Sequence, residues 1–139
     1  MENMVVGFVF NKEKTDVLLI EKNRPQWQAG RINGMGGHIE QDESAFQAVS
    51  RECKEEFGLA IPPEKWRSSV ILKGKNYTVH FFATETDIHE AKQTTDEQLV
   101  LISLKNLSHY DRLIPNLHWL IPLSLEENIQ RPIEINESK

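Results

Sequence analysis

The order of apolar and polar segments in this sequence predicts an α/β fold, with a mixed β-sheet covered by helices on both faces. Two pairs of apolar runs predict hairpins, at residues 4–11 with 16–22 and at residues 66–73 with 77–86. Another apolar run at 98–104 predicts a further strand, and residues 114–127 predict a closing helix. Strands interleaved with two helices are typical of a sheet that lies between helical layers.

Length and composition indicate one small domain. The 139 residues are enough to bury a sizeable core. We expect this domain to span residues 1–130, and we expect residues 131–139 to form a loose tail. We expect the domain to be a monomer or a homodimer.

Charge and hydropathy argue against several classes of protein. A net charge of −5 and a pI near 5.5 are unusual for a nucleic-acid coat or a membrane-surface protein, because either would carry a basic patch. No run approaches the roughly 20 apolar residues of a membrane span, and residues 1–10 lack the features of a signal peptide. The single cysteine, Cys53, fits a reducing compartment, so we expect a cytoplasmic protein.

A helix is predicted after a loop at residues 23–37 that is punctuated by Pro25 and several glycines. Ser44 followed by Gln47 is a capping-box pair, so the helix should begin just after Ser44, and Gly58 is a suitable left-handed stop. At about 100° per residue, one narrow apolar stripe should pack on the sheet. That stripe consists of Phe46, Val49, Cys53 and Phe57.

Three carboxylates, Glu52, Glu55 and Glu56, lie on the flank of this helix next to the stripe. Carboxylates this close repel one another unless a counter-ion is present. A hard divalent cation that prefers oxygen ligands, Mg²⁺ above all, removes this repulsion. The alternative is a solvated acidic face. That alternative is disfavoured because glycines and Arg51 stand at fixed offsets from the cluster.

These residues form an extended pattern, G-x5-E-x7-R-E-U-x-E-E-x-G-U, in which U is apolar. The fixed positions are Gly37, Glu43, Arg51, Glu52, Glu55, Glu56 and Gly58, with Cys53 and Leu59 at the apolar positions. The pattern resembles the Nudix box, the signature of the Nudix (MutT-like) hydrolases. The resemblance implies the Nudix fold, an α/β/α sandwich, and hydrolysis of nucleoside diphosphates linked to another moiety X, with Mg²⁺ or Mn²⁺ as cofactor.

The resemblance also implies roles for the residues of the box. Glu52 and Glu56 would be direct metal ligands, and Glu55 a third ligand or one that acts through water. A backbone carbonyl at Gly36 or Gly37 would add one more oxygen.

Two further roles follow from the family pattern. Arg51 would pair with Glu43 and orient the carboxylates. The general base would be Glu52 or an acid from a later loop, for which this chain offers Asp96 and Glu97. An ordinary polar turn is the alternative for those two residues.

Substrate recognition depends on residues outside the box. The segment at 28–40 resembles the oxidised-purine nucleoside triphosphate hydrolases, in which an asparagine before the glycines, here Asn33, contacts the base. In that resemblance Gly36 also lies against the substrate. Lys22 and Arg24 are placed to meet phosphates, with solvated charge as the alternative.

The closing segment resembles the last helix of the same branch but departs from it at one point. Those enzymes carry an acidic pair after a proline that contacts the purine edge, whereas this chain has Asn116 and Leu117 after Pro115. An amide can still hydrogen-bond a base, but a leucine cannot.

The tryptophans and histidines carry weaker information. Trp27 could stack on a base or anchor its loop, Trp119 is expected in the core, and Trp66 is expected to be structural. The five histidines show no pairing at zinc-ligand spacing.

The predicted function is a Mg²⁺-dependent pyrophosphohydrolase that cleaves purine nucleoside triphosphates, including oxidised ones such as 8-oxo-dGTP, to a monophosphate and pyrophosphate. The alternatives are pyrophosphatases of ADP-ribose, dinucleotides or capped RNA, and a non-catalytic nucleotide-binding Nudix module. The lack of a basic surface argues against capped RNA. The intact box argues against a module without turnover.

Overall fold

A mixed β-sheet and two α-helices make up the computed structural model, which describes residues 1–137. The strands are β1 (Glu2–Phe10), β2 (Asp16–Glu21), β3 (Ile32–Asn33), β4 (Met35–His38), β5 (Arg67–Lys73), β6 (Tyr77–Glu85), β7 (Leu99–Ser103) and β8 (Ile133–Asn136). The helices are α1 (Ala45–Phe57) and α2 (Leu117–Leu125). Short 3-10 turns occur at Gln26–Gln28, Pro63–Lys65, Ile88–Glu90 and Leu104–His109.

The sheet has the order β3-β2-β1-β6-β5-β8, with β4 also paired to β1 and β7 to β2. Two pairs, β1 with β6 and β5 with β8, are parallel, and the other pairs are antiparallel. Both predicted hairpins are present, as β1–β2 and β5–β6. The predicted strand at 98–104 is β7.

The two faces of the sheet bury separate apolar clusters, because side chains alternate along each strand. Val5 and Val9 of β1 pack with α1, whereas Phe8 and Phe10 of the same strand pack in the cluster that contains α2. The sheet therefore lies between two helices, and the predicted α/β/α sandwich is confirmed.

Helix α1 has the predicted bounds. The Ser44 Oγ accepts from the Gln47 N–H at 3.1 Å, the Gln47 side chain accepts from the Ser44 N–H at 2.8 Å, and Gly58 ends the helix at φ +69°. Val49 and Cys53 of the predicted stripe are fully buried.

Phe46, the first residue of the stripe, is partly exposed. It contacts the Phe82 ring edge-on with centroids 4.8 Å apart. Ala48 is instead fully buried beside Val49, so the packed face is rotated slightly from the predicted one.

The closing helix is shorter than predicted, and one of its side chains faces the opposite way. Leu117, Leu120 and Ile121 are fully buried, whereas Trp119 is 45% exposed because its helical position faces away from them. The expectation that Trp119 belongs to the core is therefore wrong. Trp66 is structural as predicted, since it is buried and its indole N–H donates to Ser50 Oγ at 3.1 Å.

Three short strands lie where no strand was predicted. The loop at 23–37 contains β3 and the first part of β4, whose glycines have low strand propensity but pair with β1. The expected loose tail contains β8, which pairs with β5 and buries alternate isoleucines against the α2 cluster. The prediction of a loose tail is wrong for these residues, and residues 138–139 lie outside the described part of the chain. Neither α1 nor α2 is long and apolar enough to cross a bilayer, and the same holds for any helix in residues 1–137.

Loss of the α1 cap should weaken the fold measurably. Ser44→Ala removes the acceptor for the Gln47 N–H, so the free energy of unfolding should fall by about 1 kcal/mol. Urea unfolding followed by circular dichroism measures this loss. Ser108→Ala, at an exposed position in a 3-10 turn, is the control and should change stability by less than about 0.5 kcal/mol. Equal stabilities of the two variants would contradict the role of the cap.

Candidate active site

The carboxylates of α1 meet the glycine strand β4 at one edge of the sheet. The pairing of β4 with β1 places Gly36 opposite Val6 and Gly37 opposite Val5. The Gly36 N–H donates to Glu56 Oε2 at 3.0 Å. A Cβ at Gly37 would lie 2.5 Å from Glu52 Oε1. The absence of a side chain at Gly37 therefore leaves room for the Glu52 carboxylate, whereas its absence at Gly36 allows close pairing with β1.

Glu52 and Glu56 form a carboxyl pair at this contact. Glu56 is only 8% exposed, and its side chain shares a hydrogen bond with that of Glu52. Burial raises the pKa of Glu56 well above its ordinary value, and the hydrogen bond and negative charge of Glu52 raise it further. The Gly36 N–H and the Lys22 ammonium act in the opposite direction. The surroundings of Glu56 therefore disfavour a negative charge on this carboxyl group.

Arg51 orders the acidic side chains around it. Its guanidinium makes a bidentate contact with Glu43, with Nε–Oε2 at 2.7 Å and Nη2–Oε1 at 3.0 Å. Its Nη1 also donates to Glu52 at 2.8 Å and to Glu55 at 3.3 Å. The Arg51 hydrogen bond lowers the pKa of Glu43, so this carboxylate stays charged. The structure thus contains the Arg51–Glu43 contact that the family pattern implies.

The carboxylate oxygens of α1 suit a hard cation, although their side chains are not arranged around a common point. Within residues 1–137 no three His, Cys, Asp or Glu side chains converge as a metal site. Glu52 and Glu55 instead contact Arg51, and Glu56 contacts Gly36. Burial and the neighbouring Glu52 nevertheless oppose a negative charge on Glu56. A divalent cation with oxygen ligands would offset this repulsion.

The two acids of the later loop have different environments. Glu97 is 4% exposed, accepts from the Asn23 N–H at 2.6 Å and pairs with the Lys22 ammonium at 3.3 Å. Asp96 is exposed and pairs with Arg24 at 2.7 Å. Lys22 and Arg24, predicted to meet phosphates, therefore face the two candidate acids. The Lys22 ammonium, which pairs with Glu97, also acts to lower the pKa of Glu56.

A cleft of about 500 Å³ lies on the α2 face of the sheet beside the glycine strand. It contains several predicted residues, namely Lys22, Asn33, Gly36, Gly37 and Asn116, together with Trp27 and His38. Arg24 does not line it. The cleft brings most of the predicted substrate-binding residues together.

The residues that line the cleft differ in their hydrogen bonding and exposure. The Asn33 Nδ2 donates to Gln28 Oε1 at 2.9 Å, and its Oδ1 accepts from the Gly34 N–H at 2.8 Å. Asn116 precedes α2 without capping it. Trp27 is 67% exposed, so the alternative of a packed loop anchor is wrong. Leu117, in contrast, is fully buried in the core.

Several residues that line the cleft were not predicted from the sequence. Tyr77, Val79 and Phe81 of β6 line it, and their alternation along the strand is the signal that could have placed them on one face. Glu137 also lines it after β8. No local pattern identifies Glu137, because its position depends on the pairing of β8 with β5.

An acidic helix that meets a glycine strand at the edge of an α/β/α sandwich is characteristic of one class of nucleotide-handling domain. The chain belongs to the NUDIX domain family, whose model matches residues 1–120. NUDIX domains are in general pyrophosphohydrolases that use divalent metal ions. No curated protein matches the sequence.

Solved structures show the same fold. A MutT structure from work on Aliivibrio salmonicida and Vibrio cholerae is 20% identical, covers 88% of this chain and 96% of its own, and has a TM-score of 0.75. MutT from Methanosarcina mazei Go1 is 20% identical, covers 92% and 96%, and has a TM-score of 0.72. The NUDIX domain of Shewanella oneidensis NrtR, in complex with ADP ribose, is 15% identical, covers 87% and 84%, and has a TM-score of 0.71.

The two adjacent glycines should respond differently to alanine. In Gly36→Ala the Cβ would lie 1.9 Å from the Val5 carbonyl oxygen, so the β1–β4 pairing must shift and stability should fall by more than about 2 kcal/mol. In Gly37→Ala the Cβ meets only the flexible end of Glu52, so the loss should stay below about 1 kcal/mol. Urea unfolding of both variants measures the difference. A Gly37 variant as unstable as the Gly36 variant would contradict this geometry.

Proposed function

We propose that this chain is a Mg²⁺-dependent pyrophosphohydrolase of nucleoside diphosphates linked to X, with purine nucleoside triphosphates, including oxidised ones, as its substrates. The products are a nucleoside monophosphate and pyrophosphate. The observation that carries this proposal is the buried Glu56 carboxyl group, which lies beside Glu52 and accepts from the Gly36 N–H. The intact box and the adjoining cleft support it.

Glu52 and Glu56 would hold the metal, with Glu55 as a third or water-mediated ligand and a carbonyl of Gly36 or Gly37 adding an oxygen. When bound, Mg²⁺ supplies charge neutralisation for the diphosphate and lowers the pKa of the attacking water.

Other side chains orient these groups. Arg51, anchored by Glu43, keeps Glu52 and Glu55 on the side of the helix that faces the glycine strand. The Lys22 ammonium adds positive charge near Glu56, where a substrate phosphate would lie.

A carboxylate must take the proton of the attacking water. We assign this role to Glu52 or Glu97. Of the two residues in the later loop, Glu97 is the better candidate, because it is buried and pairs with Lys22, whose charge also acts on Glu56. Asp96 is exposed, and the contact with Arg24 lowers its pKa. A base that is held in place transfers the proton without first reorganising.

The cleft supports binding of a flat base. Apolar side chains of β1 and β6 form its floor, and the exposed Trp27 indole stands beside Asn33 and Asn116 in its lining. Aromatic stacking and amide hydrogen bonds suit a purine. Leu117 cannot contribute here, so oxidised and ordinary purines must be told apart by the two asparagines and other groups of the cleft.

ADP-ribose is a second candidate substrate. The NrtR domain that shares this fold is in complex with ADP ribose. Hydrolysis of ADP-ribose would use the same carboxylates but would release AMP and ribose phosphate instead of pyrophosphate.

Incubation of the purified protein with Mg²⁺ and a panel of substrates tests the proposal. The panel comprises canonical and oxidised purine triphosphates, ADP-ribose and dinucleotides, with products identified by chromatography. We expect purine triphosphates to give a monophosphate and pyrophosphate, EDTA to abolish turnover, and Mg²⁺ or Mn²⁺ to restore it. Release of pyrophosphate at an unchanged rate in EDTA would refute the metal requirement.

Glu56→Gln should lose at least about 100-fold in kcat/KM, because an amide cannot replace the carboxylate beside Gly36 and Glu52. The matched control is Glu64→Gln, at an exposed 3-10 turn, which should keep full activity. Initial rates at saturating Mg²⁺ and comparison of the unfolding curves separate a chemical loss from misfolding. Full activity in the Glu56 variant would remove this residue from the site.

A further inference from the structure

A segment without regular secondary structure, residues 91–98, connects the 3-10 turn at Ile88–Glu90 to β7 and carries Glu97. It docks on the C-terminal end of α1. The Lys92 N–H donates to the Phe57 carbonyl at 2.9 Å, and the Thr94 hydroxyl donates to the Glu55 carbonyl. The last four carbonyls of a helix have no partner inside the helix. The 91–98 segment therefore completes the end of the helix that carries the candidate metal ligands.

The helix end is shaped to receive this segment. Gly58 has a left-handed φ of +69°, and a Cβ there would also lie 3.0 Å from Lys92 Cγ and 3.5 Å from Thr94 Cγ2. The glycine thus serves two purposes, since it ends α1 and leaves room for Lys92 and Thr94.

The other end of the segment is fixed to the end of β2. Glu97 accepts from the Asn23 N–H at 2.6 Å, and the Asn23 side chain donates to the Asp96 carbonyl at 3.0 Å. The Glu97 N–H in turn donates to Thr95 Oγ1 at 3.2 Å. Glu97 is therefore held between two anchors, one on β2 and one on α1. Ala91, at the start of the segment, also packs against the apolar cluster that contains Val49, Cys53 and Phe57 of α1.

We propose that Thr94 is a positioning residue that fixes Glu97 relative to the carboxylates of α1. Thr94 does not line the cleft and its hydroxyl donates to a backbone carbonyl, so the proposed role acts through Glu97 and not through contact with substrate. The proposal rests on the proposed function in so far as Glu97 serves the reaction.

A set of variants tests this role through activity. Thr94→Val keeps the shape but removes the hydroxyl, so kcat should fall about fivefold with KM nearly unchanged, and Thr94→Ser should restore it. In a Glu97→Gln background, Thr94→Val should cause no further loss. Thr86→Val is the control, because within residues 1–137 the Thr86 side chain makes no hydrogen bond, and this variant should match the unaltered chain. An equal fivefold loss in the Glu97→Gln background, or no rescue by serine, would overturn the proposal.

Amide hydrogen exchange gives a readout that does not need turnover. The Lys92 and Asn23 amides, which report on the two anchors, should exchange about fivefold faster in Thr94→Val, whereas the Gly36 amide should not change. Unchanged exchange at both positions would overturn the proposal. If the chain hydrolyses no nucleotide, the proposed function fails, and the exchange rates still decide whether Thr94 anchors Glu97.

Discussion

The close contact between the glycine strand β4 and helix α1 is the constraint on which the site depends. The Gly36 N–H reaches Glu56, and the missing side chain of Gly37 leaves space for Glu52. Both carboxylates are thereby drawn to a partly buried position, where burial and mutual repulsion oppose a second negative charge. Helix α1 is stabilised by its cap and by apolar packing on the sheet. This stabilisation offsets the electrostatic cost of placing the two carboxylates close together.

The positive charge of Arg51 partly offsets the repulsion between the carboxylates that surround it. One guanidinium contacts Glu43, Glu52 and Glu55, and it also donates to the His38 carbonyl at 3.0 Å. Its bond to Glu43 fixes the orientation, whereas the longer contact with Glu55 is more exposed. A cation that binds Glu52 must compete with Arg51 for that oxygen. Arg51 therefore links Glu43, Glu52 and Glu55 through a single guanidinium group.

The parts of the fold that could be predicted from the sequence are those encoded locally. The bounds of α1 follow from Ser44, Gln47 and Gly58, since capping chemistry acts within one turn. The resemblance to the Nudix box likewise implied the Arg51–Glu43 contact. Strands β3, β4 and β8 were missed because they are short and exist through pairing with distant strands. The Lys22–Glu97 pair could not be foreseen for the same reason, as its members are 75 residues apart.

The parallel pairing of β1 with β6 has a consequence for how the chain reaches its native state. Residues 2–10 occupy the middle of the sheet, but their partner strand ends only at Glu85. A ribosome must synthesise both strands before the central ladder can close, and until then one edge of β1 exposes unpaired backbone N–H and C=O groups. Contacts of such large sequence separation slow folding and prolong the exposure of that edge. Chaperone demand during synthesis should accordingly be governed by this one ladder and much less by the helices.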